Sequence, residues 1–415
     1  EVDVLELLKT EDTSRTINIM AFDYSFKYHY GYTHGINTSN GKQRPFLVAG
    51  TGEAEEWFNK WSGYWTEDLI NSHTTSYNNN REFLVQNIVS RKLVDGHPVL
   101  SAETDNEGES LSYLFNEESV EGKIVYGGNS TKETLNHFFI KDEDGYYSYN
   151  SDENFASLVS TRSNDNDFTV YKVPSSQKNK AKFMPFNDLD NNEELIGKGA
   201  HGVEDDYYQY YSGYTEGIGN GNFAFGIKME FDFTQPKDGK DQNNNDVTFE
   251  IGADDCVWVF IDDVLILDLG GVHGTEKTTI NFATGEITEG ILKSTLAEKI
   301  NAAKADIKLD SNGLYLENSK HHIKIYSLER GGYESIFKIK FNLQLVEQNL
   351  YNTETKTDGN GEVSISQDKA AEGEKIEIVV TPKEGYTLSV IKVIDENGNL
   401  IEVSNNSFIM PASDV

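Results

Sequence analysis

Short segments in which apolar and polar residues alternate recur along the whole sequence, and this pattern restricts the chain to a fold built mainly from β-strands. Side chains on a strand point alternately to its two faces, so the alternation turns one face toward a core. Helical spacing is confined to residues 53–61 and 292–305, the latter with Leu292, Leu296 and Ile300 four positions apart. We therefore predict a mainly β protein with a few short helices. The clearest predicted strands are residues 248–251, 257–261, 323–326 and 336–345.

Polar tracts interrupt this pattern and predict how the chain is divided. Residues 188–194 and 238–246 are rich in Asn, Asp and Gly, which favour exposed loops, and we expect insertions there. The polar segment 348–358 precedes a new run of alternating segments and marks a domain boundary. We predict a large domain over residues 1–347 and a small all-β domain over residues 358–415. The strands predicted in the small domain are residues 363–366, 375–381, 388–395 and 400–409.

The charge of the chain narrows its possible partners. Lys and Arg together number 36 against 69 Asp and Glu, which gives a formal net charge of −33. This charge repels phosphate backbones and anionic membranes, so we expect no nucleic-acid partner. No apolar run reaches the roughly 18 residues of a membrane span, so we expect no membrane insertion of these residues. Abundant Asp and Asn offer the oxygen ligands that calcium prefers, but most of these carboxylates are expected only to keep the surface solvated.

Cys256 is the single cysteine of the chain, which excludes an intrachain disulfide and a cysteine-based zinc site. Two acidic residues precede it and apolar residues follow it, so its thiolate form is disfavoured. We therefore expect an inert packing residue rather than a reactive thiol. His321 and His322 open another predicted strand and should face opposite ways on it.

The small domain carries several motifs in a fixed order: Gly373-Glu374, Thr381-Pro382, Glu384-Gly385-Tyr386 and Phe408-Ile409-Met410-Pro411-Ala412. On these residues it resembles the divergent repeat found in tandem on surface proteins of Firmicutes. The resemblance implies a stalk or spacer in a Gram-positive surface protein. It also implies an extracellular location, either attached to the cell wall or secreted, with further repeats or an anchor expected beyond Val415.

The large domain carries its own ordered motifs, of which the longest runs through residues 248–262 and continues through residues 267–273. Earlier segments that fit the same pattern are residues 21–24, 93–100, 144–149 and 184–187. On these segments the domain resembles the fibro-slime family, a relative of the anthrax protective-antigen-like domain of yeast flocculins and other cell-surface lectins. The resemblance reaches from about residue 15 to residue 345 and implies a protective-antigen-like β-sandwich with long insertions.

Asp254 and Asp255 lie between two predicted strands, at the centre of the longest motif. Adjacent side chains on an extended strand point to opposite faces, so the backbone must bend if both carboxylates are to reach one ion. The resemblance implies that this pair binds calcium, whose free coordination positions would accept sugar hydroxyls. Related lectins carry an Asn ligand where this chain has Ile336, so either Glu334 or a backbone carbonyl replaces it, or the site binds calcium weakly or not at all. The alternative is that both carboxylates only cap turns and accept backbone N–H groups.

A second loop, with Glu329, Arg330, Tyr333 and Glu334, is expected at the same end of the sandwich and is our second candidate for ligand binding. A tyrosine beside a calcium site can stack on the apolar face of a sugar ring. His273 is a further candidate ligand-binding residue, and a role in loop hydrogen bonding remains open for it. The tyrosine-rich run at residues 207–214 predicts either a sugar platform or ordinary strands. The pair at residues 262–263 is expected to form a hairpin turn.

These features predict a monomeric cell-surface adhesin that binds carbohydrate through a calcium-assisted acidic pair, without catalysis. Its partner would be a glycan or another ligand on a host or bacterial surface. A protein-binding or structural component of the cell wall is the first alternative, and a glycan-degrading enzyme is the second. The sequence contains no Gly-x-Ser-x-Gly, HExxH or GxxxxGK[ST] motif, so no common catalytic signature favours the enzyme.

Overall fold

The chain is seen in a computed structural model, which describes most of its residues. The residues that the structure describes are 5–24, 26–27, 36–37, 42–43, 47–48, 86–102, 107–119, 123–128, 135–160, 167–174, 183–189, 195–197, 222, 225–254, 256–270, 275–329 and 335–415.

The first sheet is antiparallel and contains seven of the described strands. In hydrogen-bonded order its main path is β17 (Val264–Leu269), β16 (Cys256–Ile261), β21 (Lys320–Glu329), β14 (Phe225–Thr234), β2 (Ile17–Tyr24) and β7 (Lys123–Gly127). Outside this path, β23 (Gln344–Leu345) pairs with the end of β14. The long central strands β14 and β21 pair over ten residues and give the sheet its length.

The second sheet is also antiparallel and lies against the inner face of the first. Its described strands, in order, are β20 (Leu292–Thr295), β19 (Glu286–Glu289), β18 (Glu276–Asn281), β15 (Thr248–Ala253), β22 (Phe337–Phe341), β9 (Tyr147–Asn150) and β8 (Ile140–Lys141). Alternate residues of both sheets, such as Ile227, Met229, Ile251 and Ile339, form one buried core between them. The predicted mainly β fold is confirmed, and these two sheets form a β-sandwich.

A cover segment, residues 86–102 and 107–119, packs on the outer face of the first sheet and includes the helix α1 (Ser112–Phe115). Phe115 packs edge-on against Phe22 and Tyr326, with ring centroids 5.8 Å and 4.9 Å away. The Tyr326 hydroxyl donates to the Gly96 carbonyl at 2.7 Å, which ties the cover to the sheet. Because both faces of the first sheet are buried, β16 is apolar at every position instead of alternating.

The remaining described strands of the large unit form small separate sheets. A three-stranded sheet is formed by β1 (Glu6–Leu7), β11 (Thr169–Lys172) and β10 (Asn154–Ser157). Three two-stranded pairs are β12 (Asn187–Leu189) with β13 (Leu195–Gly197), β3 (Phe26–Lys27) with β6 (Leu47–Val48), and β4 (Ile36–Asn37) with β5 (Lys42–Gln43). The predicted exposed loop at residues 188–194 is wrong at its start, because Asp188 is buried in β12.

The helix predicted over residues 292–305 is shorter than expected. Residues 292–295 form β20, and the helix α2 (Leu296–Ala302) begins only after Thr295. A capping box fixes this start, since Thr295 accepts from the Glu298 backbone while the Glu298 carboxylate accepts from the Thr295 backbone. Leu292 is 41 % exposed, whereas Leu296 and Ile300 are buried. The other predicted helix, at residues 53–61, lies outside the described residues, and a 3₁₀ helix (Lys237–Gly239) opens the predicted loop at 238–246.

The C-terminal strands pair with one another and share a small core around Ile376, Phe408 and Met410. The pairings are β24 (Leu350–Asn352) with β26 (Lys369–Ala371), β27 (Lys375–Pro382) between β25 (Gly361–Ile365) and β30 (Ser407–Ile409), and β28 (Val393–Ile394) with β29 (Leu400–Ile401). The predicted strand at 388–395 forms only at its end. The one predicted at 400–409 is broken, because Asn405 and Asn406 take left-handed turn conformations.

One predicted strand belongs to both sheets of the sandwich. The strand predicted over residues 336–345 is divided between the sheets, as β22 and β23, by the link Asn342–Leu343. In the part of the chain that the structure describes, no helix has the length and apolar character needed to cross a membrane.

Candidate ligand-binding site

The acidic pair occupies a crossover between the two sheets. β15 ends at Ala253 in the second sheet and β16 begins at Cys256 in the first, so only Asp254 and Asp255 join them. A link this short must turn sharply at the end of the sandwich. The chain bends at Asp254, whereas Asp255 lies outside the described residues, so a bend that directs both carboxylates to one ion stays a prediction.

Asp254 ties this crossover to the beginning of β22. Its Oδ1 accepts a hydrogen bond from the Ile336 backbone N–H at 2.9 Å, and its own N–H donates to the Ile336 carbonyl at 3.3 Å. Its side chain is largely enclosed, since the residue is only 7 % exposed. One carboxylate oxygen thus caps a backbone N–H, as the turn-capping alternative predicted. The Ile336 carbonyl, at the position where related lectins carry the Asn ligand, accepts from the Asp254 N–H.

Two further acidic residues lie at the same end of the sandwich. Glu329 closes β21 opposite Phe225 of β14, and Phe225 is opposite Asp23 of β2. Residues directly opposite each other in a sheet share a face, and Phe225 packs in the core between the sheets. Asp23 and Glu329 therefore point inward, with exposures of 0 % and 6 %. Cys256, the neighbour of the acidic pair, is opposite Leu328, so the crossover and Glu329 lie close together.

Asp23 was not singled out from the sequence, although it lies in one of the family segments. Its Oδ1 accepts from the Asn222 side-chain amide at 2.9 Å, and the Asn222 backbone N–H donates to Asn187 Oδ1 at 2.8 Å. All three residues are buried. A carboxylate in the fully buried second half of the strand INIMAFDY was the available signal, because buried carboxylates require polar partners.

Several predicted site residues cannot be compared with the structure. Asp255, His273, Arg330, Tyr333 and Glu334 all lie outside the described residues, and so does the tyrosine-rich run at 207–214. Of the predicted set, the structure brings Asp254 and Glu329 to one end of the sandwich.

The donor chemistry at this end suits calcium, because carboxylate and amide oxygens are the ligands that this ion takes. Among the described residues, however, no group of three or more His, Cys, Asp or Glu side chains is arranged to hold a metal ion. A calcium site here would therefore draw ligands from Asp255 and from the loop 330–334. Calcium binding at Asp254 stays a prediction.

Three further structural expectations are confirmed. Cys256 is buried without a disulfide and packs in the cluster beneath the cover segment. Asp262 and Asp263 form the hairpin turn between β16 and β17, both with left-handed φ values, 49° and 62°. His321 and His322 face opposite ways, with side-chain exposures of 6 % and 41 %.

Another buried carboxylate, Asp268 on β17, anchors the cover segment. Its Oδ2 accepts from the Asn87 backbone N–H at 2.6 Å, while its own N–H donates to Glu289 Oε1 at 2.7 Å. Lys299 of α2 completes the network with an ion pair to Glu289 at 2.7 Å. Burial, together with the negative charge of Glu289, raises the pKa of Asp268 to about 7, despite the Asn87 hydrogen bond.

Comparison with known families assigns the C-terminal strands. Residues 351–415 match the divergent InlB B-repeat domain. The C-terminal part is thus a divergent InlB B-repeat. This match confirms a repeat of the predicted kind at the C-terminus, and it begins at residue 351 rather than at 358, so it includes β25 to β30 and most of β24.

Short stretches of the chain are similar to proteins of Dictyostelium discoideum. Protein psiI is 38% identical over 80 residues, or 19% of this chain and 10% of psiI. Protein psiF is 39% identical over 72 residues, 14% of this chain and 10% of psiF, and protein psiQ is 36% identical over 84 residues, 20% of this chain and 8% of psiQ. The chain therefore spans about a tenth of the length of these relatives.

The B-repeat leaves part of its small core open. Residues 386–392 run beside β25 and β27 without joining a sheet, and an apolar groove lies between them. Leu388 and Val390 of this segment are exposed. Apolar and polar residues do alternate over residues 388–395, but the segment pairs with no described strand before Val393 and therefore forms no strand there.

Proposed function

We propose that this chain is a cell-surface adhesin whose large unit, of the fibro-slime type, binds carbohydrate at the acidic end of its sandwich with the help of calcium. The observation that carries the proposal is the two-residue crossover at Asp254, beside which the buried carboxylates Asp23 and Glu329 also lie. Concentrated negative charge at one end of a rigid sandwich attracts a divalent cation. The similarity of short stretches to the psi proteins adds only weak support for the fibro-slime resemblance.

In this proposal each residue at the site has a role that does not require bond breaking. Asp254 and Asp255 would hold calcium, together with Glu334 or a backbone carbonyl, since calcium takes six to eight oxygen ligands with loose geometry. Calcium would supply free coordination positions for neighbouring sugar hydroxyls. Tyr333 would stack on the sugar ring, while Arg330 and His273 would donate or accept hydrogen bonds at its rim. The buried Glu329 would add negative charge behind the site.

The B-repeat would serve as a spacer between the binding unit and the cell surface. We propose an extracellular, cell-wall-attached or secreted monomer of a Gram-positive bacterium. Its partner would be a glycan or another ligand on a host or bacterial surface, because a net charge of −33 disfavours nucleic acid.

The test is calorimetric titration of calcium into the chelator-stripped full chain, with Asp254→Asn beside the wild type. Asparagine keeps a carbonyl oxygen for the Ile336 N–H but removes the charge, so the fold should survive while calcium affinity falls about tenfold or more. Asp310→Asn is the matched control. The Asp310 carboxylate likewise accepts a backbone N–H, from Leu314 at 2.9 Å, but it lies in a separate exposed turn.

Calcium binding that is weakened only in Asp254→Asn supports the proposal and justifies a calcium-supplemented glycan array. An absence of binding heat in the wild type would replace it with the protein-binding or structural alternative. Release of reducing sugar from any member of a broad polysaccharide panel would instead favour the glycan-degrading enzyme.

A further inference from the structure

A hydrogen-bonded chain of three side chains lies at the end of the sandwich opposite the acidic site. His321 Nδ1 is 2.6 Å from Asp262 Oδ2, and His321 Nε2 is 2.6 Å from Ser319 Oγ. His321 lies near the start of β21 and Glu329 at its end, so eight residue steps of about 3.3 Å separate them by roughly 26 Å. The chain of side chains is therefore independent of the proposed sugar site.

The fold fixes all three members of this chain. Asp262 sits in the β16–β17 turn, where its Oδ1 accepts from the His322 N–H at 2.9 Å and its own N–H donates to the His322 carbonyl at 2.8 Å. His321 is 5 % exposed, and the Tyr315 ring stacks on its imidazole with centroids 3.7 Å apart. Ser319 and His321 are two positions apart, so they share one face of the extended chain.

The order of the atoms determines the proton positions. A carboxylate only accepts hydrogen bonds, so Asp262 holds the proton of His321 on Nδ1. The lone pair of Nε2 then faces the Ser319 hydroxyl, which is the arrangement that activates a serine nucleophile. Ser319 Oγ also lies 2.5 Å from the Leu316 carbonyl. The Ser319 hydroxyl has a single proton, which it donates either to the Leu316 carbonyl or to Nε2, and activation of Ser319 requires the second arrangement.

Two buried polar atoms beside this chain have unused hydrogen-bonding capacity. Tyr315 Oη and Gln235 Oε1 have no hydrogen-bond partner among the described residues, and both side chains are more than nine-tenths buried. Tyr315 covers His321, while the backbone of Gln235 is hydrogen-bonded to the Ser319 carbonyl at 2.9 Å. Ser319 beside them is half-exposed, so a ligand can reach its hydroxyl. A histidine buried only for packing would not need an accessible serine or unpaired polar atoms next to it.

We propose that Ser319 is a nucleophile activated by His321 and Asp262, and that it accepts acyl groups from activated esters. Ser319 Oγ bonds to the ester carbonyl carbon while its proton passes to His321 Nε2. The bond from that carbon to the leaving oxygen then breaks, and His321 returns the proton to the departing alcohol. Water releases the acyl group from Ser319 by the same proton transfers. Asp262 is a positioning residue that orients the imidazole and stabilises its charged form.

The test uses a fluorophosphonate probe on the folded full chain, with the modified residue identified by peptide mass spectrometry. We expect labelling of Ser319 at least a hundredfold faster than labelling of Ser311, an exposed turn serine that serves as the internal control. Ser319→Ala should abolish the label, and His321→Gln should slow it about a hundredfold.

Asp262→Asn covers the case in which His321→Gln fails to fold, since asparagine tolerates the left-handed turn. We expect labelling to slow at least tenfold while circular dichroism and the melting curve stay close to the wild type. Labelling of wild-type Ser319 no faster than that of Ser311 would overturn the proposal. So would a rate that Asp262→Asn leaves unchanged. Neither outcome bears on calcium binding at Asp254, so the two proposals fail separately.

Discussion

The pKa of Asp268 leads to a pH dependence that can be isolated by one substitution. Burial raises this pKa from 3.8 to about 7, so the folded state keeps a proton that the unfolded chain releases near pH 4. Between about pH 4 and pH 7 the folded state binds more protons, and its free energy of unfolding therefore falls as the pH rises. At about 1.4 kcal/mol per pH unit, the loss over this window is about 4 kcal/mol.

Asp268→Asn should remove this loss. Asparagine keeps a carbonyl oxygen for the Asn87 N–H but does not titrate. Relative to the wild type, the variant should therefore gain about 3 kcal/mol in free energy of unfolding between pH 4.5 and pH 8, because part of the loss is already complete at pH 4.5. Urea denaturation at intervals across this range measures the difference, and the general repulsion among the 69 acidic residues cancels because both proteins share nearly all of them.

The control is Glu317→Gln, which removes an exposed carboxylate and should run parallel to the wild type at every pH. If the profiles of Asp268→Asn and the wild type also run parallel, Asp268 is ionised throughout and the reasoning from its burial fails.

Three further stability predictions follow from single contacts, each measured by urea denaturation at pH 7. Asp263→Gly should raise the free energy of unfolding by about 0.5–1 kcal/mol, because glycine takes the left-handed turn conformation freely; a loss would mean that the ion pair with Lys324 dominates. Thr295→Ala should lower it by about 1 kcal/mol by removing the α2 cap, whereas Thr295→Ser should lower it by much less. Phe115→Ala should lower it by about 3–5 kcal/mol and make the cover segment sensitive to limited proteolysis; unchanged proteolysis would show that the cover does not depend on this ring.

Alternation along the sequence located the main strands but could not assign their partners. The cores of β15 and β21 were predicted within a few residues, because every second residue faces the core, whereas β16 stands out as a continuous run of apolar residues. The repeat of apolar residues along a strand does not show which sheet the strand joins, so it could not place β15 and β16 in different sheets. The spacing of Leu292, Leu296 and Ile300 predicted a helix that starts too early. Residues four apart lie on one face of a strand as well as on one face of a helix, so the spacing fits both.

The same limit applies to the sites. Asp254 was predictable because the motif around it is continuous in sequence, whereas Asp23 joins it only through the pairing of β2 with β14. Asp262 and His321 are 59 residues apart, so no local pattern could have joined them. The Ser319-x-His321 spacing was the one available signal, because it puts a hydroxyl and an imidazole on one face of an extended chain.

The path by which the chain leaves the sandwich determines how it carries mechanical load. A pull transmitted through the B-repeat first reaches β23, which pairs with β14 over only two residues and can detach at low force. It then acts along the axis of β22, which is hydrogen-bonded to β15 on one side and β9 on the other. These bonds lie across the direction of pull and must shear together. The short pairing would therefore extend before the sandwich, and the end of the sheet that holds Asp254 would keep its shape under tension.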